Sequence, residues 1–264
     1  MKARTTGKVI SQVSLAEGIY DLKIETSLAS DAAAGQFVGV YTKDASALLP
    51  RPISICGVSD DKKSIRLVYR VAGKGTDEFS RLKEGDDVTL LGVLGNGYEI
   101  EKIKSLGEND TPVRALLLGG GIGVTPMLEL AKELSAAGVK VISVMGYRDE
   151  KTFLLDEFKK YSDTYVATED GSVGTKGNVL DAVKAEGIEF DCICACGPLP
   201  MLRAIKVFAG DKPAFISLEE RMACGVGACL GCVVKTAKVD AHSHVNNARI
   251  CTDGPVFEAS EVEI

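Results

Sequence analysis

Apolar and polar positions alternate in short stretches along the first 94 residues, separated by clusters of Gly, Asp and Lys. Alternation with a period of two is typical of β-strands, and short strands at close spacing favour an antiparallel barrel or sandwich. The six predicted strands lie in GKVISQV, YDLKIET, GQFVGVY, RPISICGV, SIRLVYRV and DDVTLLGVLG. We therefore expect an N-terminal antiparallel β-barrel domain over residues 1–108.

The pattern changes after Pro112, where apolar runs of strand length alternate with segments of helical periodicity. The predicted strands are ALLLGG, KVISVMGYR, TYVATED and DCICACGP, and the predicted helices lie near residues 125–136, 154–161 and 178–186. Strand and helix in alternation indicate a parallel sheet with crossover helices. We expect a doubly wound α/β nucleotide-binding domain over residues 109–211, joined to the barrel by the polar segment EKIKSLGENDTP.

Composition and charge exclude several classes of protein. Hydrophobic residues make up 45% of the chain and charged residues 26%, as in a globular protein with a packed core. The net charge of -6 comes without a basic tract, so we expect no nucleic-acid partner. The sequence also lacks the apolar runs of a secretory signal or a membrane span, which predicts a cytoplasmic protein without a membrane partner.

Four of the eight cysteines lie in the Gly-rich C-terminal part, where the periodicity is lost after Lys212. Cys224, Cys229 and Cys232 are separated by four and two residues, and Cys251 follows after eighteen more. The first two spacings are those of plant-type 2Fe-2S ligation, which a distant fourth thiolate completes. Residues 212–264 are therefore predicted to form a small 2Fe-2S cluster segment.

The glycines between these cysteines suit a cluster, because a bare backbone can direct its N–H groups at the sulfur atoms. A structural zinc site of four cysteines is the alternative, although such sites usually show two C-x2-C pairs. His242 and His244 fall in the last loop and could be ligands in principle, but four thiolates already complete the site. We expect both histidines to be solvated loop residues.

The segment GGGIGVTP follows the predicted strand ALLL and opens a helix, which is a place where a phosphate can dock. Its glycines allow close backbone approach, Thr125 is a candidate N-cap, and Pro126 suits the first helical turn. The segment does not have the G-x-G-x-x-G spacing of the Rossmann motif. Cys192 and Cys194, in the later strand, are predicted to pack in the core.

Three further features lie in the barrel region. RPISI carries Arg51 and Ser54, SIRLVYRV carries Arg70, and GKGTDEF carries Gly75 and Thr76 at the start of a short helix. The two arginines could bind a pyrophosphate by charge-assisted hydrogen bonds. In this order, the three features resemble the FAD-binding barrel of the ferredoxin reductase superfamily.

That resemblance implies which residues contact the cofactors. The hydroxyl of Ser54 is expected beside the reactive N5 of the flavin, and the Cys-Gly-Pro loop at Cys196 beside the nicotinamide, so both residues are candidates for catalysis. GVLGNGY, residues 92–98, resembles the loop that closes the barrel, or is an ordinary hairpin turn. The implied FAD contacts are Arg51, Pro52, Ile53, Ser54, Leu67, Val68, Tyr69, Arg70, Gly75 and Thr76, and the implied NAD contacts are Gly119, Gly120, Gly121, Gly123, Cys196, Gly197 and Pro198.

A barrel, a nucleotide domain and a small C-terminal cluster, in this order, resemble the electron-transfer subunits of type B dihydroorotate dehydrogenase. The resemblance implies electron flow from FMN of a catalytic partner subunit, through the 2Fe-2S cluster and FAD, to NAD+ in pyrimidine biosynthesis. It also implies a heterotetramer with two subunits of each kind. The sequence by itself offers no acid and base set for a small organic substrate, which agrees with a protein as the second substrate.

Two other interpretations share parts of this pattern. A subunit on the same scaffold could serve another redox partner in an NAD(P)H-dependent reaction, as in sulfide dehydrogenase or the small subunit of a ferredoxin-dependent transhydrogenase. A non-enzymatic module with zinc on its cysteines and a vestigial nucleotide site is the other interpretation, against which the intact RPISI and GGGIGVTP segments argue.

Overall fold

The structure is a computed structural model that describes residues 3–107, 111–239 and 244–264. The predicted domain boundary at residue 108 and the side chain of His242 lie outside the described residues. No helix in these ranges combines the length and the apolar character that crossing a bilayer would require.

The N-terminal part forms the predicted closed antiparallel barrel, which confirms the expectation from the period-two pattern. The strands are arranged in the order β1-β2-β5-β4-β3-β6, and alternate side chains fill the interior. A short helix, α1 (Lys74–Phe79), follows the fifth strand. The strands are β1 (Ala3–Ala16), β2 (Ile19–Glu25), β3 (Phe37–Val40), β4 (Arg51–Val58), β5 (Ser64–Arg70) and β6 (Asp87–Leu94).

The second part is a seven-stranded sheet in the order β10-β9-β8-β7-β11-β12-β15, parallel except at its last strand. Helices cover both faces, as expected for a doubly wound domain. The helices are α2 (Ile100–Lys104), α3 (Val124–Ala136), α4 (Leu155–Phe158), α5 (Val179–Ala185) and α6 (Leu199–Ala209). The strands are β7 (Arg114–Gly120), β8 (Lys140–Tyr147), β9 (Asp163–Thr168), β10 (Thr175–Lys176), β11 (Cys192–Cys196), β12 (Ala214–Ser217) and β15 (Val256–Glu258).

The C-terminal segment is joined closely to the α/β domain. Two strands within residues 212–264, the predicted cluster segment, belong to the α/β sheet, namely β12 and β15. The four residues of β12, AFIS, form a segment too short to show a period in the sequence. Only their pairing with β11 identifies them as a strand. The remaining strands β13 (Val233–Thr236), β14 (Asn247–Arg249) and β16 (Val262–Glu263) form a small antiparallel sheet.

Helix α3 packs between the sheet and the barrel and fixes the two domains to each other. Oε2 of Glu129 accepts a 3.0 Å hydrogen bond from the backbone N–H of Val58, and Oε1 of Glu133 accepts one of 3.0 Å from Ala34. Burial raises the pKa of both carboxyls, against the opposing effect of these backbone donors. The helix begins at Val124, so the prediction of Thr125 as N-cap is wrong.

Candidate functional site

A cavity of about 500 Å³ lies where the barrel, the α/β sheet and the C-terminal segment meet. Its volume is in the range of small-molecule and cofactor sites, roughly 300 to 1,000 Å³. The barrel contributes residues of β3, β4 and β5, the α/β domain contributes Ile122 and Thr125, and the segment after β12 contributes six consecutive residues, 217–222. Pro255, next to β15, completes the lining.

Arg51 is held at the edge of this cavity by backbone contacts. Its guanidinium donates to the carbonyl oxygens of Ala47, at 3.1 Å, and Leu49. The hydroxyl of Thr76 accepts from the N–H of Ala72 at 2.8 Å and donates to the carbonyl of Gly73 at 3.0 Å, which fixes the turn that precedes α1. The Arg51 guanidinium and the first turn of α1 therefore lie on the same side of the cavity.

The structure brings eight of the ten predicted flavin contacts together on the cavity lining and leaves two, Leu67 and Gly75, off it. Leu67 is fully buried in the barrel core, because side chains alternate along β5 and those of Val68 and Arg70 point away from the barrel interior. Its side chain therefore does not reach the cavity. The predicted residues that line the cavity are Arg51, Pro52, Ile53, Ser54, Val68, Tyr69, Arg70 and Thr76.

The glycine loop after β7 packs against the Cys-Gly-Pro loop after β11. A Cβ at Gly123 would come within 2.7 Å of the Cα of Gly197, and a Cβ at Gly120 within 3.2 Å of Pro198. The space beside Gly121, which has a φ of +57°, is open. Close packing of two loops, rather than ligand approach alone, explains why this stretch is rich in glycine.

Cys196 does not reach the cavity. Its side chain is 1% exposed, and the residue paired with it on β12, Ser217, lies on the cavity lining instead. Burial chiefly raises the pKa of the Cys196 thiol, and the nearby Ser217 hydroxyl opposes this rise. Cys192 and Cys194 are fully buried, which confirms that they pack in the core.

Ser217, Glu219 and Thr125 also line the cavity, which the sequence patterns did not predict. Ser217 ends β12 and Glu219 follows it, at the carboxyl end of the strand, where ligands bind in open α/β sheets. Recognition of AFIS as a strand of this sheet would have pointed to both residues. Glu219 is solvent-accessible inside the cavity but surrounded by protein, and this desolvation raises the pKa of its carboxyl, with Arg70 opposing.

The four C-terminal cysteines lie close enough to influence one another. Cys229 contributes to the lowered pKa of Cys224, and Cys232 and, to a smaller extent, Cys224 contribute to the raised pKa of Cys251. Within residues 3–107, 111–239 and 244–264, no three Cys, His, Asp or Glu side chains converge as ligands of one metal ion. Two thiolates on each of two irons is the ligation of a 2Fe-2S cluster, so this donor set fits a two-iron group.

Backbone N–H groups favour the thiolate at Cys224. Burial opposes ionisation, but the Sγ of Cys224 accepts from the N–H groups of Val226 at 3.4 Å and Ala228 at 3.3 Å. These donors, with Cys229, lower the pKa of Cys224 to about 6. Burial and the neighbouring Cys232 thiol raise the pKa of Cys251 to about 11. Binding of iron at Cys251 would therefore displace a proton.

Contacts from the barrel and the last residues hold the cysteine loop in place. The amide of Asn96, in the segment after β6, donates to the carbonyls of Thr252 at 3.0 Å and Asp253 at 3.2 Å. Residues 92–98 thus connect the barrel to the C-terminal segment and are not a hairpin turn. His244 is exposed in its loop, as expected.

The outer side of the cysteine loop is apolar and exposed. Cys229 is exposed, whereas Cys232 and Cys251 are buried. Val226 is 41% and Leu230 is 65% exposed on either side of Cys229 in the sequence. We call these three residues, Val226, Cys229 and Leu230, the loop face.

Comparisons with known proteins agree with this arrangement. Residues 219–263 match the iron-sulfur cluster binding domain of dihydroorotate dehydrogenase B, and residues 117–207 match the oxidoreductase NAD-binding domain. The chain is 42% identical over 259 residues to the dihydroorotate dehydrogenase B (NAD(+)) electron transfer subunit of Lysinibacillus sphaericus, with 97% of each chain covered. It is 43% identical over 265 residues to that of Geobacillus kaustophilus, with 99% of each covered.

A solved structure shows the same fold over the whole length. A chain of NADH-dependent reduced ferredoxin-NADP oxidoreductase superposes with a TM-score of 0.83 and is 30% identical in sequence. The match covers 100% of this chain and 91% of that one.

Proposed function

The chain belongs to the family of dihydroorotate dehydrogenase B electron transfer subunits, and from this we propose that it carries electrons from a catalytic partner subunit, through a 2Fe-2S cluster and FAD, to NAD+. The observation that carries the proposal is the shared cavity, to which the barrel, the α/β domain and the C-terminal segment all contribute residues. A flavin in this cavity lies beside both the nucleotide loops and the cysteine segment. The subunit is an oxidoreductase that works with a partner.

Cys224 and Cys229 hold one iron of the cluster, and Cys232 and Cys251 hold the other. The order and spacing of the four cysteines and the N–H donors at Cys224 support this assignment. Hydrogen bonds to the sulfur atoms also stabilise a negatively charged cluster and tune its potential. A structural zinc site usually shows two C-x2-C pairs, which the unequal spacing of these cysteines lacks.

Arg51 and Arg70 bind the pyrophosphate of FAD, at the side of the cavity that Thr76 lines, where Gly75 and Thr76 lie in the first turn of α1. Ser54 lies beside the flavin ring, with Pro52, Ile53, Val68 and Tyr69 around it. FAD, when bound, supplies the conversion between the two-electron hydride of the nicotinamide and the single electrons of the cluster.

NAD+ binds at the carboxyl ends of β7 and β11, where the glycine loop and the Cys-Gly-Pro loop pack together. Gly121 faces open space and lets a phosphate approach the backbone. Gly119, Gly120, Gly123, Gly197 and Pro198 shape the two loops around it. Cys196 acts from behind the cavity, through its contact with Ser217.

The catalytic partner subunit carries FMN and docks on the loop face, since this is where the cysteine loop is exposed and apolar. Apolar, well-packed contacts are typical of interface centres. The complex contains two subunits of each kind. It works in the cytoplasm, where reducing conditions keep the cysteine thiols available for iron.

The first test is an anaerobic visible and EPR spectrum of the purified chain before and after NADH, with iron and zinc counted. We expect flavin bands, a rhombic signal on reduction, and about two irons per chain. The same preparation is then mixed with an FMN-containing dihydroorotate dehydrogenase subunit. NADH formation from dihydroorotate and NAD+ should require both subunits. A purified chain that contains zinc and no flavin would contradict the proposal.

One observation favours a second candidate function, in which the same subunit exchanges electrons with a ferredoxin-dependent partner. The structural match to NADH-dependent reduced ferredoxin-NADP oxidoreductase covers all of this chain at 30% identity. An assay with reduced ferredoxin and NADP+, in place of dihydroorotate and NAD+, distinguishes the two candidate functions. The 42% and 43% identity to dihydroorotate dehydrogenase B subunits gives the first candidate priority.

A further inference from the structure

Arg249 is the last residue of β14, two positions before Cys251, and its side chain contacts the cysteine loop. Nη1 of Arg249 donates to the carbonyl oxygen of Gly227 at 3.3 Å. Gly227 lies between Cys224 and Cys229 in the sequence, and a Cβ there would come within 3.2 Å of the same Nη1. A φ of +81° also favours glycine at this position. The guanidinium of Arg249 therefore lies directly against the bare backbone of the loop.

The peptide group that Arg249 contacts is also a donor to one of the cysteines. The carbonyl of Gly227 and the N–H of Ala228 belong to the same planar peptide group. That N–H donates to the Sγ of Cys224 at 3.3 Å. A charged donor on the carbonyl oxygen fixes the plane of the group and polarises its N–H, because hydrogen bonds in a chain strengthen one another. The positive charge of Arg249 thus acts on Cys224 through a single peptide group.

Asp253 holds the guanidinium in this direction. Its carboxylate accepts from Nε of Arg249 at 3.1 Å and from Nη2 at 3.0 Å, and it also accepts from the backbone N–H of Arg249 at 2.7 Å. Such a two-pronged contact fixes the plane of an arginine side chain. Nη1, the nitrogen outside this contact, is the one that reaches Gly227. The direction of Arg249 is therefore set before any group binds to the cysteines.

A fixed cation at this place matters because of the charge of the group that the cysteines would hold. On reduction a 2Fe-2S cluster gains one negative charge, and hydrogen-bond donors directed at its sulfur ligands stabilise the more negative form. Donors of this kind raise the reduction potential. The side chains of Arg249 and Asp253 are 41% and 38% exposed, so solvent and salt screen their charges only in part.

We propose that Arg249 is a positioning residue that raises the reduction potential of the cluster, and that Asp253 limits this effect; the inference rests on the proposed function, in which the cysteines hold a 2Fe-2S cluster. Arg249 acts through the peptide group of Gly227 and Ala228. Asp253 orients Arg249 but also carries a negative charge that offsets part of its field. Removal of the two charges should therefore shift the potential in opposite directions.

An EPR-monitored redox titration of the purified holo-subunit tests this proposal. In Arg249→Gln, the ratio of reduced to oxidised cluster at a fixed potential should fall roughly tenfold, as for loss of one charge-assisted hydrogen bond. For a one-electron couple, this fall lowers the reduction potential by about 59 mV. In Asp253→Asn the same ratio should rise severalfold. The visible spectrum of the flavin, recorded in the same titration, should give an unchanged flavin potential in both variants.

Lys235→Gln is the matched control. Lys235 is an exposed cation on β13, three residues after Cys232, so its removal changes the charge of the same small sheet by the same amount. This variant should keep the potential of the parent chain. If Arg249→Gln assembles no cluster, Arg249→Lys keeps the positive charge without the two-pronged contact, and its potential should still lie below that of the parent chain.

A purified parent chain without flavin, or without about two irons, would overturn the proposed function itself. A parent chain that holds both groups, with the same cluster potential in Arg249→Gln, would overturn only the role of Arg249. Shifts of the same sign in Arg249→Gln and Asp253→Asn would also overturn it, because a merely structural disturbance of the loop does not follow the sign of the charge. An equal shift in Lys235→Gln would overturn the dependence on the contact with Gly227.

Discussion

The side chain of Arg51 lies directly against the backbone of Gly75. A Cβ at Gly75 would come within 2.8 Å of the Cδ of Arg51 and 2.9 Å of its Cζ. Only glycine at this position leaves room for the guanidinium between the loop that precedes β4 and the start of α1. The orientation of a cation at the cavity thus depends on the absence of a side chain on a neighbouring element.

Gly75→Ala should therefore weaken FAD binding by displacing Arg51. Loss of a charge-assisted hydrogen bond, worth about 1.5 to 3 kcal/mol, corresponds to an affinity roughly 10- to 100-fold lower. Flavin fluorescence titration of the apo-chain measures this. Gly73→Ala is the matched control, because a Cβ there meets nothing within 4 Å. Equal affinity in both variants would contradict the role assigned to the Arg51–Gly75 contact.

Arg66 of the barrel joins the two domains through two carboxylates. It donates to Asp21 at 2.8 Å, within the barrel, and to Glu157 of α4 at 2.6 Å. The side chains of Arg66 and Asp21 are 16% and 10% exposed, so removal of the cation leaves a nearly buried charge unpaired. Arg66→Met should lower the free energy of unfolding by about 3 kcal/mol.

Urea unfolding measures this loss, and Arg81→Met is its control. Arg81 pairs with Asp77 on the surface, with side chains 69% and 52% exposed, and such pairs contribute at most about 1 kcal/mol. A similar loss of stability in both variants would show that the Arg66 contact between the domains stabilises the fold no more than a surface ion pair does.

The Arg66 contact also has a pH dependence. Hydrogen bonds from Arg66 lower the pKa of Glu157 below its ordinary value of 4.5, although burial opposes this. A carboxyl with a depressed pKa in the folded state contributes stability above its unfolded pKa, and that contribution is lost as the pH falls through the folded value. The stability difference between the parent chain and Arg66→Met should therefore shrink below about pH 4.5. Urea unfolding curves of the parent chain and of Arg66→Met at pH 7, 5 and 4 measure this stability difference. A difference that stays constant with pH would contradict the prediction.

Periodicity and spacing predicted most of the fold, and the departures have identifiable causes. The six barrel strands and the parallel strands β7, β8, β9 and β11 have clear patterns, as the structure confirms. β12 is four residues long and β15 three, so neither shows a period, and their pairing depends on contacts distant in sequence. Ser217 and Glu219 were missed for the same reason, since their place at the cavity depends on β12 belonging to the sheet.

Local rules failed where tertiary packing decides the outcome. Thr125 has the residue type of an N-cap, but the chain turns through residues 121–123 first, and the helix begins one residue before it. The sequence around Cys196 likewise does not indicate that β11 buries this residue, which is 1% exposed. Neither outcome depends on neighbours in the sequence alone.

Asn96 should control how firmly the cluster is held. Its amide donates two hydrogen bonds to the residues that follow Cys251, and each neutral hydrogen bond contributes about 1 kcal/mol. Asn96→Ala should release iron to a chelator several-fold faster than the parent chain. The flavin absorbance of the same sample serves as an internal reference and should not change. An unchanged rate of iron release would show that other contacts position the cysteine loop.

The loop face should determine the affinity for the catalytic partner. A carboxylate at Leu230, which is 65% exposed, would have to be desolvated in an apolar interface, and losses at such centres are about 2 kcal/mol or more. Leu230→Asp should therefore bind an FMN-containing partner roughly 30-fold less tightly in calorimetry. Reduction of the flavin by NADH should remain normal, since the substitution lies outside the cavity. Val207→Asp is the matched control, because Val207 is an apolar side chain that is 83% exposed on α6, outside the loop face. Equal weakening by both variants would place the partner elsewhere on the surface, and weakening by Val207→Asp alone would move the docking site to α6.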